Sequence, residues 1–368
     1  METKVSAVIG AWYGDEGKGQ MVNRITAQSF GNTLNVLYNG GCQRGHTVVK
    51  GSVRHVFHCF GSGTLYGADT YWTRDFLVDP YAVSIEYKDV RPNKILCHPE
   101  ARVVTPYDIA LNQIKERSRS GSKHGSCGMG IFETIERNKE IPVRVKDLYY
   151  VNFKSLMDKV EERFYRVVQP YGNFAVNDRL ISDFYDAVKF LKTIIEFDES
   201  IPFNGYKNVI FEGGQGLALS QSNLEDFPYL TPSYTGSENI IKELGSRAEY
   251  GDVTLYYVTR PYVTRHGAGP FPTENRFVKK YVPKELTNVS NEWQDNFRYG
   301  TFDFDVLKER IEKDKSLWPV RQNSVLAVTQ AVFGSGFVVK ADEEEYVLDF
   351  LLSGDFVDRV EKYIGEAV

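Results

Sequence analysis

Five short runs rich in apolar, β-branched and aromatic residues punctuate the chain, at residues 5–9, 33–38, 208–212, 253–259 and 324–328. Each is bounded by glycine or polar clusters and reads as a short buried strand. Longer stretches with apolar positions at helical spacing lie between them, at residues 155–168, 178–197 and 304–315. A further helix is expected to begin near Met21, and residues 343–365 read as a terminal helical region. Strands that alternate with helices predict an α/β fold: one large domain spanning 1–368, with a central, mostly parallel sheet flanked by helices and carrying helical and loop insertions. No repeat, low-complexity tract or linker divides it.

Composition narrows the function classes. A chain of 368 residues with 42% hydrophobic and 14% aromatic content supports a substantial core. The formal net charge of −5 argues against a general nucleic-acid surface but leaves room for a local basic cleft around a small phosphate. Cys42, Cys59, Cys97 and Cys127 are scattered without a Cys-x-x-Cys pair, which predicts reduced thiols in a cytosolic compartment. Neither a leader nor an apolar run long enough to cross a bilayer is recognisable, so a soluble, cytoplasmic protein with no membrane partner is expected. His55, His58, Cys59, Cys97 and His98 are zinc-ligand types, but their spacing in strand-like segments fits packing better.

The densest chemistry lies in Gly10-Ala11-Trp12-Tyr13-Gly14-Asp15-Glu16-Gly17-Lys18-Gly19-Gln20, directly after the first strand. Strand, glycine loop and helix together point backbone N–H groups and a helix dipole at an anion, so the segment is a P-loop-like phosphate site. Its spacing departs from the ordinary P-loop, because Gly19 stands where a Ser or Thr hydroxyl would hold magnesium. Asp15 is therefore a candidate metal ligand, general base or both. A tight turn with a solvated charge cluster is the bland alternative, and the strand-loop-helix context weighs against it.

Three more segments follow predicted strands or resist reading as casual loops. Asn39-Gly40-Gly41-Cys42-Gln43-Arg44-Gly45-His46-Thr47 sets a histidine among small neighbours that let a phosphate approach. Phe211-Glu212-Gly213-Gly214-Gln215-Gly216 ends a strand with one carboxamide, a group that donates and accepts and so suits a base edge. For Gln215 taken alone, packing of the turn is an equal explanation. Thr264-Arg265-His266-Gly267-Ala268-Gly269-Pro270-Phe271-Pro272-Thr273-Glu274 is heavily constrained by glycine and proline.

These four motifs, in this order, resemble those of the adenylosuccinate synthetase family, and the similarity runs from Val5 to about Asp305. The resemblance implies a ligase that joins L-aspartate to C6 of a 6-oxopurine nucleotide through a 6-phosphoryl intermediate, with Mg2+ as cofactor. It implies that Asp15 removes the N1 proton and binds magnesium, that the backbone of Gly45 completes the magnesium shell, and that His46 stabilises or protonates the departing phosphate. Lys18 and the segment of Gly14, Glu16, Gly17 and Gly19, with Gly45 and Thr47, would hold the triphosphate. Asn39, Gln43 and Gln215 would line the substrate nucleotide. Ser126, Cys127 and Thr231 fall where the family binds the 5′-phosphate, with Cys127 replacing a hydroxyl residue. Arg137 resembles the arginine that reaches into a neighbouring subunit, which implies a homodimer. Arg298, with Thr301 close by, resembles the clamp on the aspartate carboxylates; the second arginine of that loop has no match, and Asn296 stands near its position.

One subsite departs from the family. The family reads guanine with a Thr-Lys-x-Asp strand end, whereas this chain has Thr329-Gln330-Ala331-Val332. Valine cannot accept the two guanine donors, and each buried group left unpaired costs roughly 1–3 kcal/mol. The chain also ends at Val368 without the family's Ser-Thr-Gly-Pro segment. ATP or dATP is therefore the expected donor, with Gln330 near the adenine. With the altered Cys42, Gln43 and Arg44, the chain is similar to the phage branch of the family. That likeness implies dGMP as acceptor, 2-amino-2′-deoxyadenylosuccinate as product on the way to 2-aminoadenine DNA, and a host cytoplasm. Gln43 and Arg44 border the substrate in the family's layout and are the leading candidates for selecting it, with surface packing an equal reading of Arg44. The alternatives are a compact adenylosuccinate synthetase using IMP and GTP, and a nucleotide-binding regulator without catalysis. Retention of Asp15, Lys18, His46 and Gln215 argues against the last.

Overall fold

In the computed structural model, which describes residues 3–29, 31–119, 124–280, 282, 292–294 and 297–329 and the backbone of 337–341 and 344–348, the strand-helix alternation is present throughout. β1 (Lys4–Gly10) leads through the glycine loop into α1 (Lys18–Gln28), and β2 (Thr33–Leu37) follows. A hairpin, β3 (His46–Lys50) with β4 (Val53–Phe57), precedes β5 (Asp69–Trp72), the short β6 (Leu77–Val78) and α2 (Pro80–Asp89). After β7 (Ile95–Cys97) and β8 (Arg102–Val103) come α3 (Pro106–Ser118), α4 (Ile131–Glu140), α5 (Phe153–Val168) and α6 (Asp178–Ile194), then β9 (Ile195–Phe197). The remainder runs β10 (Asn208–Gly216), α7 (Glu238–Leu244), β11 (Val253–Thr259), β12 (Val263–Arg265), β13 (Arg298–Gly300), β14 (Phe302–Asp303), α8 (Phe304–Lys315), β15 (Asn323–Val328), β16 (Phe337–Ala341) and β17 (Glu344–Leu348).

Eight strands form one sheet in the order β15-β11-β1-β10-β2-β5-β7-β9. All seven neighbouring pairs are parallel. The expected α/β architecture is thus present, and the five strands read from the sequence are five consecutive members of this sheet. Alternate residues of β1 serve opposite faces, as the two-residue repeat of a strand requires. Val5, Ala7 and Ile9 join Leu34, Val36, Val209, Phe211 and Leu255 beneath Ile240 and Leu244 of α7 and Leu307 and Ile311 of α8. Val8 points the other way, to Val22 of α1, with Ile210 and Val258. Past β5, a second apolar mass built on Trp72, Ile95 and Cys97 packs against α2, α3, α5 and α6.

Helix starts are locally specified. Asp79 caps α2 by accepting from the backbones of Tyr81 and Ala82, with Pro80 in the first turn. Thr105 and Asp108 form a reciprocal capping box at α3.

Two expected boundaries differ. The helix expected over 178–197 ends at Ile194, and Ile195–Phe197 instead pair with β7 as an edge strand; cross-strand pairing takes over a segment whose β-branched and aromatic residues suit either state. Within the terminal region expected to be helical, Glu344–Leu348 is a strand antiparallel to Phe337–Ala341, and residues 349–368 lie outside the described ones. Among the described residues, no helix is long and apolar enough to cross a membrane.

Because the whole sheet is parallel, the loops after β1, β2, β10, β11 and β15 all emerge along one edge. Ligands of open α/β sheets bind at that edge.

Candidate active site

The loop after β1 is wound around one carboxylate. Glu16 accepts from the backbone N–H groups of Trp12 at 3.0 Å and Gly14 at 2.8 Å, and its other oxygen takes Lys18 Nζ at 2.9 Å. Both side chains of the pair are almost wholly buried. Burial alone would raise the Glu16 carboxyl, but the Lys18 ammonium and the backbone donors outweigh it and hold it below the usual range. Gly10 is required here, since a Cβ would stand 2.6 Å from Glu16 Oε2 and 2.8 Å from Lys18 Nζ. Gly17, at φ 96°, caps α1 in the left-handed region. Thr329, the residue after β15, donates to the Glu16 carbonyl at 2.5 Å and so fixes the loop from the far side.

The adjacent acid behaves differently. Asp15 is only half buried and adopts φ 65°, the left-handed conformation that aspartate tolerates better than most residues. Glu16, expected with the rest of this loop at the triphosphate, has its carboxylate engaged as an internal brace of the loop, since a buried carboxylate must be paired.

His46, the first residue of β3, stands over the first turn of α1. A Cβ on Gly19 would lie 2.6 Å from His46 Cβ. Its Nδ1 is 2.6 Å from Glu212 Oε1, while its Nε2 is buried without a hydrogen-bond partner. Burial lowers the imidazole below its ordinary value despite Glu212, and the Arg44 and Lys18 charges push it the same way. Although burial opposes ionisation of Glu212, Arg44, His46 and Ser62 bring its carboxyl down to about 2. The sequence motif contains Glu212 but gives no sign of this role. What the sequence does carry is a carboxylate within a buried strand, where an unpaired charge is not tolerated.

Arg44 is also relocated. It is buried, donates to the carbonyls of His58 at 3.0 Å and Phe60 at 2.5 Å, and sets Nη1 at 3.5 Å from Glu212 Oε1. It faces the His46–Glu212 pair and the neighbouring backbone, not the surface.

Beside it, Asn39 is buried and joins two loops, donating to Tyr234 O at 3.0 Å and accepting from Gly214 N at 2.8 Å. Gln43 and Gln215 converge on Gly40, whose added Cβ would meet Gln43 Nε2 at 3.1 Å and Gln215 Oε1 at 3.2 Å. The Oε1 atoms of both carboxamides are buried without donors. Gly45 is exposed and Thr47 half buried at the entrance to β3.

A second group of loops meets nearby. Ser126 donates to Asn112 at 3.0 Å, and Gly130, at φ 74°, opens α4 just beyond it. Cys127 is half buried, and burial raises its thiol, so it brings no negative charge against a phosphate. The Ser126 loop abuts Gly267 and Ala268, because a Cβ on Gly125 would reach Ala268 N at 2.7 Å. Thr231 is tied through its N–H to Leu219 O at 3.0 Å, and Tyr229 of the same loop accepts from Arg265 at 3.2 Å. Arg298 donates to Gly269 O at 2.8 Å and pairs with Glu274 at 2.9 Å. Its guanidinium thus already faces a carboxylate. Thr301 is buried and accepts from Asn275 at 3.2 Å. His266, to which the sequence assigned no role, has a buried Nδ1 without a partner and packs on Phe297. Tyr13 ties the two groups of loops together, with Phe271 at 5.3 Å and the Arg265 guanidinium at 4.6 Å from its ring.

Arg137 does not fit its expected role. It is 1% exposed, and its guanidinium holds Asp108 through Nε and Nη2 at 2.9 Å each, Val103 O at 2.7 Å and Ile141 O at 3.0 Å. These contacts lie within the one chain and join α3 to α4. Gln330, Val332 and Asn296, on which the donor-base and aspartate-loop readings rest, lie outside the described residues. Among the described residues no group of three or more His, Cys, Asp or Glu side chains is placed to hold a metal ion.

A glycine loop at a helix N-terminus, next to a buried histidine–glutamate pair at the C-terminal edge of a parallel sheet, defines an α/β protein of the class whose ligands are met at that edge. The chain belongs to the adenylosuccinate synthetase family, whose profile matches residues 7–316. It is 32% identical over 294 residues to adenylosuccinate synthetase of Stenotrophomonas maltophilia, covering 73% of this chain and 64% of that protein. It is 30% identical over 284 residues to that of Clostridium beijerinckii, covering 73% of this chain and 65% of the relative. The chain thus spans just under two thirds of the length of these curated relatives. Its fold is shared with a fully ligated adenylosuccinate synthetase from Plasmodium falciparum, at TM-score 0.79, 19% identity and coverage of 99% of this chain and 96% of that one. It is also similar to the cyanophage S-2L succinoaminodeoxyadenylate synthetase bound to dGMP and dATP, at TM-score 0.54, 15% identity and coverage of 99% and 100%.

Proposed function

We propose that this protein is a C–N ligase that joins the amine of L-aspartate to C6 of a 6-oxopurine nucleoside monophosphate at the expense of a nucleoside triphosphate. IMP and GTP are the pair favoured by the family and by the names of its relatives. The observation that carries the reading is the arrangement around the start of α1. Asp15 stands on a loop braced by Glu16, and His46 is anchored through Nδ1 with its buried Nε2 unpartnered. A binding module needs the loop, but it does not need an anchored imidazole.

On this reading Asp15 takes the N1 proton, and O6 attacks the γ-phosphorus while the bond to the nucleoside diphosphate breaks. Lys18 and the N–H groups that open α1 face the charge that develops on the phosphate oxygens. His46 Nε2 meets the transferring group. The amine of aspartate, its carboxylates drawn by Arg298, then attacks C6, and phosphate leaves. Magnesium takes most of its oxygens from phosphates and water, so the Asp15 carboxylate and the Gly45 carbonyl are a suitable protein share. When bound, the ion would neutralise phosphate charge. A homodimer and a single domain over 1–368 belong to the same reading, in which Arg137 acts as an intramolecular pin on Asp108.

A second reading, ATP or dATP with dGMP, is favoured by a specific observation. Guanine offers a 2-amino donor that hypoxanthine lacks, and Gln43 and Gln215 hold two buried acceptors without partners beside Gly40. Crossing ATP and GTP with dGMP and IMP, with aspartate and magnesium present, and detecting the succinyl product by mass separates the two. Turnover with GTP and IMP alone supports the first, turnover with ATP and dGMP the second, and turnover with none refutes the ligase.

A further inference from the structure

We propose that Glu274 is a built-in stand-in for a substrate carboxylate: it occupies the clamping edge of Arg298, and L-aspartate must displace it to be held there. This rests on the ligase reading, and the experiment below tells the failure of one from the failure of the other.

A count of donors carries it. An arginine has five N–H groups, and it holds a carboxylate best when two of them on one edge point at the two oxygens. Arg298 Nε donates to Glu274 Oε1 at 2.9 Å, and Nη2 to Glu274 Oε2 at 2.5 Å. Nη1 donates to the carbonyls of Gly269 at 2.8 Å and Gly267 at 3.3 Å. Four of the five groups are thus engaged. The one that remains, on Nη2, cannot hold a carboxylate at two points. Aspartate is therefore clamped by Arg298 only if a present partner leaves.

The partners are not equally free to go. The two carbonyls belong to a turn pinned from elsewhere: Arg265 donates to Ala268 O at 2.9 Å and Pro270 O at 2.6 Å, and a Cβ on Gly267 would stand 3.0 Å from Gly125 O. The backbone of Glu274 is fixed as well, by its N–H to Phe271 O at 2.9 Å and a bridge to Gly300. Its side chain, 45% exposed, can swing into water. An ion pair so open to solvent is weak, because water solvates both charges when they part. The Arg298 guanidinium holds the Glu274 carboxyl below its ordinary range, so the stand-in carries the charge of the group that replaces it. Displacement exchanges one carboxylate for another on the same edge.

Glu274→Gln removes the charge and keeps the length of the side chain. With the productive nucleotide pair, KM for aspartate should fall by about 3- to 10-fold, as when a competing state is removed, while KM for either nucleotide changes by less than about 2-fold. In thermal melts with nucleotide present, the aspartate concentration that gives half of its full shift should fall by the same factor. A carboxylate that only orients Arg298 predicts the reverse, a higher KM for aspartate in Glu274→Gln. An unchanged or raised KM for aspartate overturns the proposal, as does an equal fall for the nucleotides. Glu274→Ala replaces Glu274→Gln if the latter does not fold. If neither folds, the Arg298 Nε–H resonance of the unaltered protein decides: aspartate should move it, and aspartate that binds without moving it overturns the proposal. If no nucleotide pair turns over and aspartate shifts no melt, the ligase reading fails and this proposal with it. Turnover with an unmoved KM for aspartate sinks this proposal alone.

Discussion

Glu16 and Glu212 are both buried glutamates beside a cation, yet they serve the site in opposite ways. Glu16 spends its oxygens on the loop that carries Asp15, while Glu212 spends its own on His46. Removing one partner of a buried ion pair leaves the other charge stranded, so Glu16→Ala should lower stability by about 3–5 kcal/mol in urea denaturation. Asp15→Asn, on the half-buried neighbour, should unfold as the unaltered protein does but lose about 10²- to 10⁴-fold in kcat; full turnover would remove Asp15 from the mechanism. Glu212 makes an acid-range prediction with a definite sign. Its carboxyl falls from an ordinary 4.5 to about 2 on folding, so its stabilisation is complete above about 4.5 and is lost as pH falls toward about 2. Melting temperature followed from pH 6 down to about 3 should drop less steeply in Glu212→Gln. The residue types of the site were legible in the sequence. Which way each acid turns was not, because residues 15 and 16 occupy a glycine loop with no repeat to assign their faces.

At the scale of elements, legibility followed length. The five predicted strands have between five and nine residues in the structure, enough for an apolar run to register. β5, β7 and β9 have four, three and three residues, too few for any period, and are strands because a neighbour pairs with them. The start of α1 shows an element bent to a site's needs. Gly19 costs a helix about 1 kcal/mol relative to alanine, yet an alanine Cβ would collide with His46. Gly19→Ala should therefore fail to stabilise the protein and should displace His46, seen as reduced kcat together with a changed His46 resonance. Arg137 is the corresponding case between α3 and α4. Taken as an intramolecular pin, Arg137→Ala should cost about 3–5 kcal/mol in urea denaturation without changing subunit association in sedimentation. Unchanged stability with weakened association would restore the role in a neighbouring subunit.

For the molecule as a whole, the parallel sheet makes ligand binding and global stability one problem. The candidate groups hang from the ends of β1, β2, β10, β11 and β15, adjacent strands of a single sheet, and Tyr13 links them to the loops around Ser126 and Arg298. A ligand held by all of these segments binds the folded chain alone, so it must raise the unfolding free energy of the sheet. The gain is about 2.7 kcal/mol when its concentration is 100 times its Kd. Thermal melts with each nucleotide therefore rank the substrates without any turnover. IMP and GTP with magnesium should each raise the melting temperature, and aspartate should add to the shift only when a nucleotide is present, since Arg298 is otherwise engaged by Glu274. A shift with dGMP and ATP but not with IMP and GTP would move the assignment to the second pair. It would also make Gln43→Ala the variant to examine next, because loss of an acceptor for the 2-amino group should weaken dGMP more than IMP.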